Sequence, residues 1–136
     1  MAPLVAVLGA SRFLGRLAIP VFAAEGWRVR ALDRRQAAIA GMLGVERDWA
    51  DPLDERSLTR ATTDCTCVLD LSSSETGADG VAATEAALLA GNVGRVIRVE
   101  RLGAPIASPG GDPTRVTVVR CAPVIGAGRV GILSFS

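Results

Sequence analysis

The stretch Val5-Ala6-Val7-Leu8-Gly9-Ala10-Ser11-Arg12-Phe13-Leu14-Gly15 decides the fold. Its first half is apolar throughout, as a strand buried on both faces of a parallel sheet must be. Two glycines then bracket a short polar turn. Beyond it Leu14, Leu17, Ala18, Val21 and Phe22 recur at helical spacing and are expected to face the sheet. This helix is expected from about Leu14 to Glu25, kinked at Pro20 and closed by Gly26. A second apolar run, Trp27 to Leu32, ends at Asp33.

Outward from that unit the chain keeps alternating strand-like and helix-like runs. A short helix over Arg35 to Leu43 leads to a third strand near Val45 to Asp48. Asp51 is expected to cap the next helix, with Pro52 at its first position and Asp54 and Glu55 adding negative charge to its first turn. Cys67 to Leu71 reads as strand four, Ser72 to Gly77 as a polar loop, Ala78 to Ala90 as a helix stopped by Gly91-Asn92, and Arg95 to Val99 as strand five. A Pro/Gly loop from Leu102 to Thr114 precedes strand six, Arg115 to Arg120, and the tail after Gly126 reads as irregular. This alternation predicts the α/β class: a doubly wound parallel sheet of about six strands, forming one domain over residues 1–136.

Composition narrows the partners. Apolar residues make up 49% of the chain, charged ones 21%, and the net charge is +1. That balance gives no electrostatic case for a nucleic acid or a membrane surface. All 15 basic residues are arginines, and there is no Lys, Tyr or His. No apolar run is long enough to span a bilayer, and no secretory leader is expected ahead of the first strand. Three cysteines, an odd number, fit a reduced cytoplasmic protein.

A glycine turn between a buried strand and a helix lets backbone amides approach a pyrophosphate, aided by the helix dipole. Gly9 would permit the turn and Gly15 the close packing of helix on strand; the middle position holds Arg12 or Phe13 instead of glycine. Asp33, at the end of strand two, would accept both hydroxyls of an adenosine ribose and favour NAD. Arg34 and Arg12 could bind a 2′-phosphate and favour NADP. The residues leave NAD or NADP open. A plain packing corner, and a solvated Asp33-Arg34-Arg35 loop, are the structural alternatives.

Together the string GASRFLG, Asp33, the segment Arg47-Asp48-Trp49-Ala50-Asp51-Pro52, the strand Val68-Leu69-Asp70-Leu71-Ser72 and the run Val118 to Gly126 resemble the short-chain dehydrogenase/reductases. The closest branch is the atypical and extended one, the NAD-dependent epimerase/dehydratase-like proteins with a Rossmann fold. The Arg-Phe-Leu-Gly ending is similar to a subset that includes the chloroplast stem-loop-binding proteins. The resemblance covers about residues 3–128. It implies a cofactor site. Gly9, Ala10, Ser11, Arg12, Phe13, Leu14 and Gly15 would form the pyrophosphate turn, and Asp33 and Arg34 would meet the adenosine ribose. Asp48 and Trp49 would lie at the adenine, and Leu71, Ser72 and Ser73 along the nicotinamide-side ribose. Ala122, Pro123 and Val124 would face the nicotinamide.

The departures concern catalysis. The family's Tyr-x-x-x-Lys pair lies between strands five and six, where this chain has a short Pro/Gly loop and neither residue type. The family's substrate-binding C-terminal segment is expected to be absent as well. A carbonyl reduction needs an acid near the substrate oxygen, and no Tyr, Lys or His is present to be it; Glu100, at the end of strand five, is a candidate general base, with a solvated strand-end charge as the alternative. The expectation is therefore an NAD(P)-binding protein without Tyr/Lys catalysis. The runner-up is an oxidoreductase or epimerase that uses an unusual acid or a partner chain. A truncated copy of a longer protein and an RNA-associated relative are further readings, the latter opposed by the charge.

Arg98 and Glu100 share a strand face. With the covering helix missing, they are expected to lie with Thr117 on one open, wet face, which a second copy of the chain could cover. Cys65 and Cys67 would point the same way if both were in the strand, but too few ligands exist for a metal, and none is expected. Asp70 is expected to meet backbone amides of a nearby turn or to mark a strand end. Ser72-Ser73-Ser74 with Glu75 lacks a base to make a nucleophile.

Overall fold

The computed structural model describes residues 2–102, 111–121 and 133–135. Five buried residues form β1 (Leu4–Leu8), an interior strand of the sheet. The chain continues through α1 (Phe13–Ala24), β2 (Arg28–Asp33), α2 (Gln36–Ile39), β3 (Glu46–Trp49), α3 (Glu55–Ala61), β4 (Cys67–Asp70), α4 (Ser73–Ala90), β5 (Arg95–Arg101), β6 (Val116–Cys121) and β7 (Leu133–Phe135). The sheet order is β3-β2-β1-β4-β5-β6-β7. The first six strands are parallel, so the fold is the expected doubly wound Rossmann sheet. The seventh runs antiparallel to β6, which corrects the reading of the tail as wholly irregular.

Alternation along the strands splits the core in two. Leu4, Ala6, Leu8, Val68 and Val96 pack with Leu58 of α3 and Leu88 and Leu89 of α4. Val5, Val7, Val29 and Ala31 pack with Ile19 of α1 and Ile39 of α2 on the opposite face. The chain thus reverses direction across the sheet between β1 and β4. Cys65 belongs to the first core and Cys67 to the second, so they do not point the same way. Burial pushes both thiols up to about 11. Among the described residues no His/Cys/Asp/Glu group could hold a metal, and no helix is long and apolar enough to cross a membrane.

Several local expectations change. Helix α1 continues through Pro20; Leu14, Ala18 and Phe22 pack against the sheet's core as expected, with Gly15 and Ile19 buried beside them, whereas Leu17 and Val21 are 54% and 62% exposed. The cap of α3 is Asp54, not Asp51, because its carboxylate accepts from the amides of Arg56 and Ser57. Asp51 shapes the preceding turn by accepting from Leu53. The stretch 73–76 is helical rather than a loop; it forms the first turn of α4 and is set off from the remainder by a non-helical Gly77.

The largest correction concerns β5. Arg98 and Glu100 are not on an open face: Arg98 is 1% exposed and Glu100 6%. The reason is charge pairing beneath α4. The Arg98 guanidinium lies 2.7 Å from Glu85, a wholly buried residue of α4, and 2.9 Å from Glu100, which also faces Arg120 at 3.7 Å. Thr117 pairs in register with Ile97, so it lies on the other face from Arg98 and Glu100.

Candidate functional site

Parallel strands send all their carboxyl ends to one edge, and the reversal at β1/β4 opens a crevice there. The turn after β1 enters this crevice. Gly9 has φ +82, a conformation that suits glycine, and its amide and that of Ala10 donate to the Leu32 carbonyl at the end of β2. Gly15 packs against the turn so closely that a Cβ there would sit 2.5 Å from the Ala10 carbonyl oxygen. Ala10 is fully buried between them. Arg12 is the N-cap residue of helix α1, which begins with Phe13 and Leu14, and no side chain caps its first amides. Those amides have no partner within the helix. Helix α3, by contrast, is capped by Asp54.

Asp33 is tied into the turn. Its Oδ2 accepts from the Ser11 amide (3.1 Å) and the Ser11 hydroxyl (2.5 Å), and its Oδ1 from the Arg35 amide (2.9 Å). The Arg35 guanidinium stands 3.7 Å away and also donates to the Ser11 hydroxyl. Burial pushes the Asp33 carboxyl up, but the Ser11 hydroxyl, the two amides and the Arg35 charge outweigh it and hold the group below its ordinary value. The carboxylate expected to face a ribose thus already serves as the fastening between β2 and the turn.

The other expected residues gather at the same edge. Asp48 and Trp49 end β3; the Asp48 carboxylate accepts from the Trp49 amide, and the Trp49 indole donates to the Arg34 carbonyl. Leu71 and Ser72 are buried after β4, and the Leu71 amide donates to the Leu8 carbonyl of β1. The serine hydroxyls point inward: Ser72 donates to Asp70 and Ser73 to the Val99 carbonyl. Asp70 accepts from the Ser72 amide, as expected of it, and burial raises its pKa despite that bond. Glu100 is held between Arg98 and Arg120. Ala122, Pro123 and Val124 lie outside the described residues.

One residue of this edge acquires a role that its sequence did not suggest. Glu75, in the first turn of α4, lies 2.6 Å from the Arg12 guanidinium and 3.9 Å from Arg34. Only the strand order, with β1 between β2 and β4, brings these groups together.

No family model and no curated protein matches the chain. Solved structures do. A nucleoside-diphosphate-sugar epimerase from Pseudomonas aeruginosa matches 75% of this chain at 26% identity with a TM-score of 0.66, over 34% of its own length. An NADPH-dependent quinone oxidoreductase from Escherichia coli, complexed with NADPH, matches 72% at 27% identity and TM-score 0.64, over 37% of its own. A short-chain dehydrogenase/reductase superfamily protein from Agrobacterium tumefaciens with bound NAD matches 86% at 16% identity and TM-score 0.59, over 48% of its own. The chain therefore spans less than half of each of these relatives. Their fold is its fold.

Proposed function

We propose that this chain is a single NAD(P)-binding domain of the short-chain dehydrogenase/reductase kind, epimerase/dehydratase-like, without the Tyr/Lys chemistry of that family. The observation that carries the reading is the uncapped start of α1, set at the sheet's reversal point behind a turn that Gly9 and Gly15 hold tight. Free amides and a helix dipole at that place suit a diphosphate. Similarity to proteins solved with NAD and NADPH supports it.

In this reading the amides of Phe13, Leu14 and Gly15 bind the pyrophosphate, and Ala10 excludes water beneath it. Arg34 reaches the adenosine ribose, Asp48 and Trp49 the adenine, and Leu71, Ser72 and Ser73 the second ribose. Ala122, Pro123 and Val124 would border the nicotinamide. The bound dinucleotide would supply a hydride carrier, while the chain itself supplies positioning. Glu100 is neutralised on both sides by guanidiniums and is assigned no proton-transfer role. Three buried free thiols fit a cytoplasmic setting.

Calorimetric titration with NAD and NADP tests the reading; no heat of binding for either at millimolar concentration overturns it. The likeness to a quinone oxidoreductase and an epimerase favours a second reading, a catalytically active oxidoreductase. Hydride transfer to a panel of carbonyls and quinones distinguishes the two.

A further inference from the structure

Glu75 stands where the ends of three neighbouring strands meet. Its Oε1 contacts the guanidinium of Arg12, from the turn after β1, at 2.6 Å. The same atom lies 3.9 Å from Nε of Arg34, which follows β2. Glu75 itself follows β4. One carboxylate oxygen thus draws together side chains from across the crevice, along the strand order β2-β1-β4. The anion is the inner member: the Glu75 side chain is 17% exposed, against 36% for Arg12 and 53% for Arg34.

Two guanidiniums that converge on a carboxylate offer the same donors to a phosphate, which carries more charge and more acceptor oxygens. Ion pairs this open to water add little to stability. Bracing the start of α4 is therefore a weak reason for a three-way contact, and Ser73 already anchors that start to the Val99 carbonyl. The turn that carries Glu75 is also joined to the rest of α4 through Gly77, at φ +69 and ψ 177, so it can tilt without unwinding the longer part of the helix. We propose that Glu75 is the internal occupant of an anion site formed by Arg12 and Arg34, and that a phosphate of the incoming nucleotide displaces it. This rests on the dinucleotide reading above. Glu75 then sets affinity and specificity, because it must release both arginines and its remaining charge repels the phosphate that replaces it.

The test is calorimetric titration of the full chain and of its Glu75→Gln variant with NADP, NAD and inorganic pyrophosphate, at low salt. Glu75→Gln is expected to tighten binding about three- to tenfold, the size of one or two exposed ion pairs released. Tightening confined to NADP assigns the site to the 2′-phosphate; equal tightening for all three assigns it to the diphosphate bridge. Glu75→Asp, which keeps the charge but shortens its reach, should fall between the two proteins. Unchanged or weaker binding of all three ligands to Glu75→Gln overturns the proposal. If both dinucleotides bind the two proteins equally well, the dinucleotide reading stands and this inference falls. If neither dinucleotide binds but pyrophosphate binds Glu75→Gln more tightly, the anion site stands and the dinucleotide reading falls. Silence from every ligand removes both.

Discussion

Replacing Gly15 by alanine probes the glycine turn where it is tightest. The added methyl would lie 2.5 Å from the Ala10 carbonyl oxygen and 2.9 Å from the Ala10 carbonyl carbon and Cα. All three are backbone atoms, so no side chain can rotate away, and α1 must lift off the turn. Overpacking of this kind costs about 1–3 kcal/mol, with the upper half of that range apt for a backbone clash. Alanine's better helix propensity returns about 1 kcal/mol. The net expectation is a loss of about 1–2 kcal/mol. With a urea slope of about 2 kcal/mol per molar, the unfolding midpoint should fall by roughly 0.5–1 M. The lift also drags the first amides of α1 away from a diphosphate. Losing one charge-assisted bond, worth about 1.5–3 kcal/mol, should weaken dinucleotide binding roughly 10- to 100-fold. Gly41→Ala is the control, because a Cβ there meets nothing within 4 Å; its stability should change by less than about 0.5 kcal/mol. A Gly15→Ala protein with the midpoint and affinity of the parent would refute the close approach of helix to turn and the role assigned to it.

Three other outcomes are expected. Arg98→Met leaves Glu85 and Glu100 buried with their shared guanidinium gone, and urea unfolding should show a loss of about 3–5 kcal/mol. Asp54→Ala removes the cap that accepts from Arg56 and Ser57, at a cost of about 1 kcal/mol by the same assay. The third concerns pH. Burial raises the Asp70 pKa above its unfolded value, so its contribution favours folding at low pH and fades as pH rises through the folded value. Asp70→Asn keeps an acceptor for Ser72; its stability relative to the parent should therefore improve from about pH 4 to about pH 7. Asp33, whose pKa is lowered, has the opposite sign: its contribution is present above the unfolded value and is lost as pH falls through the folded one.

The sheet was legible because β1 is apolar at every position and β2 ends in Asp33, a pattern that needs no partner to be recognised. Charges were harder. Arg98 and Glu100 look wet when β5 is read alone; Glu85, which neutralises Arg98, lies on α4 and meets it only after that helix packs on the sheet. Helix α1 is apolar nearly all round, with Phe13, Leu14, Leu17, Ala18, Ile19, Val21 and Phe22, so periodicity placed Leu14, Ala18 and Phe22 on the inner face but also Leu17 and Val21, which are exposed. Gly15 and Ile19 take their place on the buried side. Asp51 before Pro52 looked like the cap, but the helix starts later, and Asp54, read as first-turn charge, caps it instead. Glu75 was visible as a carboxylate near serines, but its arginine partners come from two other strand ends.

The clasp of Ser11 and Arg35 on Asp33 has a consequence for recognition. A phosphate-binding loop that must be ordered by its guest surrenders part of the interaction energy to conformational entropy. Here the loop is pinned to the neighbouring strand before any guest arrives, so its shape is preorganised. The adjustable parts lie outside it, in long side chains at the rim and the first turn of α4, which leaves the loop itself as a fixed template against which ligands are selected.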